Sequence, residues 1–458
     1  AVRAPNGLII LSARSATQLA ASVVNSGTLE AKGISQKGGR ILLEGSTVSN
    51  TGTLDVSSDI AEAGTIQING KNVSLSGNVI ATSPVQGGTL KVQASEVLNV
   101  NANINLARAQ RGGGVQLLAR QVSIADAVIN VDGDTQGGNV QVQATNVQNT
   151  NPFEDPFNPP SIPLTVALTG LTTVNSRSRN GQGGNATILG DSISLDGNTT
   201  INVSGAQGGG NVLVGGDWQG SNGTYQATTV YMGQNVTIDA SAVDSGNGGR
   251  VVLWSDIAKN IGWTEVDGSI KATGAPNGRG GEVETSGHLL GINGTAKVQA
   301  GEWLLDPSNV QINTAPSSNF TFQSNQYSAN TLTNPSSFTV NNGSIESSLN
   351  GGTSISVITT SNNNVAGTLS IGADIAKTSG SGATLTFFAN STISGTGNIS
   401  STGNRLSVVF NTSSGYGTYS GKLSGNVSFR KEGAGTSVLS GANTHTGGTA
   451  VFGGELSV

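Results

Sequence analysis

From Asn6 to about Asn149 apolar and polar positions alternate in short runs, and each run follows a glycine step. Gly38-Gly39, Gly64, Gly87-Gly88, Gly113-Gly114 and Gly137-Gly138 precede RILLEG, TIQING, TLKVQA, VQLLAR and NVQVQA. Alternation with a period of two reads as β-strand. The steps recur roughly every 25 residues, the spacing of a stacked repeat rather than of independent domains. A second apolar run follows within the period, as in VSLSGNVIAT, VLNVNANINL and VSIADAVINV. Two or three strands per period with no room for a helix describe one coil of a parallel β-helix, too small to have a core until it stacks on its neighbours.

In such a coil alternate residues point inward and meet equivalent residues one rung away, at about 4.8 Å. The predicted inward set is Ile66 and Ile68, Leu90 and Val92, Val115 and Leu117, Val140 and Val142, with Gln67, Lys91, Gln116 and Gln141 facing solvent. The glycine pairs are expected at sharp corners where φ is positive. Asparagine at the turns is expected to stack into side-chain ladders.

The regular stretch covers residues 1–149 and breaks at residues 150–163, TNPFEDPFNPPSIP, whose five prolines cannot donate to a ladder. Coils resume over 164–312. They are interrupted by a second excursion, GGDWQGSNGTYQAT from Gly215 to Thr228. Residues 313–350 are rich in Ser, Asn and Thr and read as irregular coils. From 351 to 458 the strands return as SISVITT, TLSIGADI, ATLTFFA, LSVVF and VSFRK, and the chain stops in mid-repeat, so more is expected to follow it. Function concentrates on loops held by a rigid scaffold. Phe153 and Phe157 on the first excursion, and Trp218 and Tyr225 on the second, are therefore the candidate ligand-contact residues. Either pair could instead anchor its loop by packing.

Composition narrows the class. Of 458 residues 67 are Gly, 4% are aromatic and 11% are charged, less than half the usual charged share of about 25%. The net charge of -5 is spread thinly, and without a basic cluster nucleic acid is not an expected partner. There is no cysteine, so stacking rather than disulfides must supply stability. No 18-residue apolar run exists, and the start, AVRAPNGLIILSARSA, lacks the layout of a signal peptide.

Candidate chemistry is sparse. His288 and His445 fall in separate repeats, so they build neither a metal site nor a triad and read as turn or surface residues. The densest carboxylates, Asp239, Asp244, Asp256, Glu265 and Asp267, alternate with apolar residues and Gly as solvent-facing or turn positions do. The G-G-x-G-x-D calcium repeat of β-rolls is absent, and DGD at Asp132 to Asp134 reads as an isolated turn. No catalytic residue, metal or cofactor is expected.

The stretch Gly248 to Ile312 carries GGRVVLWSD, VDGSIKATG, GRGGEVETSGH and GEWLLDPSNVQI. It resembles the segment recurring in filamentous-haemagglutinin-like exoproteins of Gram-negative bacteria, the secreted members of two-partner secretion systems. The tail GAGTSVLSGANTHTGGTAVFGGELSV resembles the passenger-associated repeat of autotransporters, with His445 where an aromatic is usual. The resemblance implies a right-handed parallel β-helix, a single elongated rod at the cell surface, exported through an outer-membrane translocator partner and serving adhesion, aggregation or biofilm. It transfers no binding residues, so the ligand would be a host or bacterial surface glycan or protein. Two other classes stay open: a carbohydrate-active enzyme on the same scaffold, marked by carboxylates along one lateral face, and a self-associating fibre whose open ends stack.

Overall fold

A computed structural model describes residues 1–13, 21–34, 37–107, 109–146, 164–258, 262–315, 320–323, 326–329, 339–359 and 367–458. The chain divides into two compact units. One comprises Ala1–Gly215, Asn235–Arg250 and Gly274–Gly278; the other comprises Gly216–Gln234, Val251–Thr273 and Arg279–Val458.

The first unit is a parallel β-helix. One of its sheets is built from short strands, among them Thr28–Glu30, Thr53–Asp55, Asn78–Ile80, Asn103–Asn105, Val128–Asn130, Thr173–Asn175, Thr200–Asn202 and Thr237–Asp239. Each is hydrogen-bonded in parallel to the next. The longer strands Arg40–Asn50, Thr65–Leu75 and Thr89–Val100 pair in the same sense, and the ladder continues through Gly114–Ala119 and Asn139–Ala144. Ile41 faces Ile66, Ile66 faces Leu90, Leu90 faces Val115, and Val115 faces Val140.

The whole predicted inward set is buried, at 3% exposure or less. Side chains of this size contribute about 1.5–3 kcal/mol each on burial, and the alternation that points them inward is what closes the coil. Gln67, Lys91, Gln116 and Gln141 lie on the outer face but only half exposed, because each leans on the rung beside it. Gln116 donates to Gln141 at 2.9 Å. Asparagines also form a ladder, at the first positions of strands rather than at the turns where one was expected: Asn211 donates to Asn185 at 3.0 Å, and Asn185 to Asn139 at 2.8 Å.

The glycine corners differ from expectation. Gly39, Gly64, Gly88, Gly113 and Gly138 do not have positive φ. They are glycine because of close approach: a Cβ on Gly64 would lie 2.0 Å from the carbonyl oxygen of Gly39, and one on Gly138 would lie 2.1 Å from that of Gly113. The corners stack into a seam too tight for any side chain. Gly112 and Gly113 occupy it, and Gly114 opens the following strand with nothing within 4 Å of its Cβ position.

In the second unit Glu282–Gly287, Glu302–Pro307, Ser354–Thr359, Ala383–Ala389, Ile399–Thr412 and Leu423–Glu432 form one parallel ladder. Its interior column runs Leu305, Val357, Phe387, Phe410 and Lys431. A second ladder joins Tyr416–Tyr419, Thr436–Leu439 and Glu455–Ser457.

Where irregular coils were expected, the chain forms a helix, Asn342–Asn350. Asn341 caps it by accepting from the Gly343 amide at 2.8 Å, and Ile345 and Leu349 are buried beneath it. Lys377, fully buried, donates to Leu349 O at 2.8 Å and so satisfies a carbonyl of the last helical turn. Burial lowers the pKa of this ammonium. Phe320–Gln323 and Gln326–Ala329 pair antiparallel.

Candidate functional site

The two candidate loops fare differently. Phe153 and Phe157 lie outside the described residues. Trp218 and Tyr225 are placed, on an excursion that is fastened to the coils of its own unit.

The fastening starts from Asp217, whose carboxylate accepts from the Trp218 amide at 2.7 Å and from Asn222 Nδ2 at 2.7 Å, fixing a 3-10 turn over Trp218–Gly220. The Gln219 amide then donates to Glu284 Oε2 at 2.9 Å, and Gln226 Oε1 accepts from Trp254 Nε1 at 3.1 Å. Gly216 lies against Trp254 so closely that a Cβ would come within 2.5 Å of the indole. Trp218 is thus half-buried, and Tyr225 at 37% exposure is the more accessible of the two.

Beneath the excursion the strand alternation places Glu284 and Ser286 on the outer face, where solvent would be expected, and His288 follows at the bend before Leu289–Ile292. All three are buried, because the excursion and neighbouring coils cover them. Ser286 Oγ donates to Glu284 Oε1 at 2.9 Å, and His288 Nδ1 is 2.8 Å from Ser308 Oγ. Burial lowers the His288 pKa, partly offset by a hydrogen bond to the Ile257 backbone. His288 is thus a turn residue, as expected, but a buried one rather than one at the surface. His445 is half-buried, with Nε2 2.8 Å from Thr449 Oγ1. Glu265 is likewise buried rather than solvent-facing: Asn293 Nδ2 donates to its Oε1 at 3.0 Å and also bonds Asp267.

The conspicuous letters of the Gly248 to Ile312 stretch thus have structural work. Trp254 and Glu284 hold the excursion. Thr264 Oγ1 donates to Ser255 Oγ at 2.9 Å, and Gly287 is glycine because Ser255 Oγ would lie 2.3 Å from its Cβ. Trp303 Nε1 donates to Thr285 Oγ1 at 3.0 Å within the core.

Asp306 is the exception. It faces Ser286 in the neighbouring strand, is 9% exposed, and its Oδ1 has no hydrogen-bond partner among the described residues. Burial pushes its carboxyl up to about 7. An acid whose folded pKa exceeds its unfolded value of 3.8 stabilises the fold below about pH 4 and loses that contribution as pH rises toward 7. Asp306→Asn is expected to remove this slope and to raise stability at pH 8 by more than about 1 kcal/mol, since one pKa unit is worth about 1.4 kcal/mol. Thermal unfolding of both proteins at pH 5 and pH 8 checks it, and equal pH dependence would contradict it. Glu284→Ala, which removes the acceptor for Gln219, is expected to make the Gly215 to Thr228 excursion several-fold more sensitive to limited proteolysis, with the coils still intact.

Two of the other carboxylates serve turns. Asp239 Oδ1 accepts from the Ser241 amide and Asp256 Oδ1 from the Ala258 amide, each at 2.9 Å. Asp132 to Asp134 is not a simple turn, for Gly133–Gln136 is a strand and Asp132 is gripped by Arg177. Among the described residues no group of three or more His, Cys, Asp or Glu could hold a metal ion.

Residues 429–458 match the family model of the passenger-associated-transport-repeat, as the resemblance of the tail leads one to expect. No curated protein matches the chain. Among solved structures the chain is similar to the HMW1 secretion domain from Haemophilus influenzae, with TM-score 0.43 and 20% identity over 62% of this chain and 79% of that one.

Proposed function

We propose that this chain is the β-helical body of a secreted exoprotein of a Gram-negative bacterium, exported through an outer-membrane translocator partner and held at the cell surface for adhesion, aggregation or biofilm. The observation that carries the reading is the continuity of the passenger repeat with the coils before it. Strands inside residues 429–458 extend the same parallel ladders, Thr436–Leu439 on Tyr416–Tyr419 and Glu455–Ser457 on Thr436–Leu439. The repeat is thus part of the helix, which suits a passenger that folds coil upon coil. The resemblance of Gly248 to Ile312 to filamentous-haemagglutinin-like exoproteins supports the same reading.

The role is passive rather than enzymatic. Of the densest carboxylates, Asp239 and Asp256 serve turns and Glu265 and Asp267 bind Asn293, and this argues against a catalytic pair among them. The partner at the surface is a host or bacterial glycan or protein, with self-association of open helix edges as a further contact.

The test is display of the chain in a Gram-negative host with and without an outer-membrane translocator, scored by surface labelling and by adhesion to glycan- and matrix-coated plates. Labelling and adhesion that both depend on the translocator support the reading. A chain that stays inside, or reaches the surface without raising adhesion or aggregation, overturns it.

A further inference from the structure

The first unit carries an open groove of about 810 Å³, a size within the range of small-ligand sites. It crosses successive coils at one corner of the helix. Ala109 pairs with Gly133, Gly133 with Ser178, Ser178 with Gly205, and Gly205 with Ala242. Four steps of about 4.8 Å between these five rungs make it roughly 19 Å long.

Its floor is small and apolar, formed by the buried Ala107, Ala109 and Ala206, with exposed Val243 beside them. Its walls are charged and held in place. The Arg177 guanidinium forks onto Asp132, with Nη2 to Oδ2 at 2.7 Å and Nε to Oδ2 at 3.1 Å, and the Arg177 amide also donates to Asp132 Oδ1 at 2.7 Å. This grip raises the guanidinium pKa. Arg179 reaches Asp134 at 3.7 Å while remaining 83% exposed. Asp244 is exposed and has no ion-pair partner among the described residues.

We propose that this groove binds an extended, neutral oligosaccharide. Among the described lining residues both guanidiniums are paired with carboxylates and Asp244 adds a further negative charge, so sulfated or uronate chains are disfavoured. The same carboxylates accept hydrogen bonds from sugar hydroxyls, the guanidiniums donate them, and the alanine floor takes the C–H face of a ring. The coil spacing is close to the advance per ring of an extended β-linked glycan, so successive rings meet equivalent rungs. The Arg177–Asp132 pair, fixed before binding, lowers the ordering cost that otherwise weakens sugar binding. The inference names the ligand class and its place for the surface role proposed above, yet it can be judged on purified protein alone.

The experiment is calorimetric titration of the full chain with neutral β-linked oligosaccharides, such as cello- and chito-oligosaccharides, beside uronate and sulfated chains. Arg179→Ala combined with Asp244→Ala removes two exposed groups, and Val243→Trp adds bulk at an exposed position, so neither variant should change the unfolding midpoint. Binding of a neutral chain that weakens about tenfold or more in both variants, about 1.4 kcal/mol, is the expected result. Absence of neutral-chain binding, preference for the anionic chains, or equal affinity in the variants overturns the proposal. Displayed cells that adhere equally with wild-type and variant chains would remove the groove from adhesion but leave the surface role standing. A chain that never reaches the surface would remove the surface role, and the titration would still decide the groove.

Discussion

Gly184→Ala is expected to lower stability by about 3 kcal/mol or more, whereas Gly114→Ala is expected to be neutral or slightly stabilising. At Gly184 a methyl group would stand 2.0 Å from Gly138 O and 2.1 Å from Ser176 Oγ. Ser176 is itself pinned, donating to Gly138 O at 2.5 Å. Overpacking a core side chain costs typically 1–3 kcal/mol. Here the clash is with backbone that the next rung holds by hydrogen bonds, so relief requires the coils to part, and the upper end of that range applies. At Gly114 no atom lies within 4 Å and φ is not positive. Alanine there mainly reduces the freedom of the unfolded chain, worth about 0.4–1 kcal/mol. Thermal unfolding of the two variants side by side separates crowding from any general need for glycine. Equal midpoints would mean that the seam is looser than the backbone spacing indicates.

Phe410→Ala is expected to cost about 3–5 kcal/mol and to lower unfolding of the second unit first. Its ring is 1% exposed and meets three others edge to face: Phe387 at 5.7 Å, Tyr419 at 5.3 Å and Phe429 at 5.2 Å. Each contact adds about 0.5–1.5 kcal/mol beyond simple burial. The loss therefore exceeds what the side chain alone would give, and the cavity cannot collapse, since its walls sit on separate rungs. Next in the same column stands Lys431, fully buried, its ammonium bonded to the backbone oxygens of Glu432 and, at 3.1 Å, Gly433. Burial lowers its pKa. Phe410→Leu should lose less than half as much. Near-ultraviolet circular dichroism followed through unfolding reads both variants, and a loss below about 1 kcal/mol for Phe410→Ala would refute the packing argument.

How much of this was legible in the sequence depends on how far each feature reaches. Alternation is local, so the strands and the inward set from Ile66 to Val142 could be read directly. The asparagine ladder is less direct, since Asn139, Asn185 and Asn211 are 46 and 26 residues apart. The purpose of the glycine seam could not be read, because sharp turning and close approach ask for the same residue. Only the distance between rungs separates them. The helix Asn342–Asn350 was hidden by its composition: NGSIESSLN contains mostly residues with weak helix propensity, and its stability comes from the Asn341 cap and the burial of Ile345 and Leu349. Glu284, His288 and Asp306 were misplaced or missed for a third reason. Period two puts Glu284 and Ser286 outside, as the structure does, but their cover comes from residues 65 positions away at Gln219. No local pattern announces that contact. The groove shares this origin, since Asp132 and Arg177 are 45 residues apart.

The even step between rungs has a consequence for how such a chain can change over generations. Ile41, Ile66, Leu90, Val115 and Val140 face one another at separations of 24 or 25 residues. Duplication of one such segment in the gene would insert a rung whose glycine corner, inward pair and turn asparagine already match those above and below. Loss of a single residue within a strand would instead turn every following side chain to the wrong face until the next corner. Length is therefore heritable in whole coils, and variation between them is channelled into the corners, where an Arg, an Asp or an entire excursion can be added without disturbing the ladder.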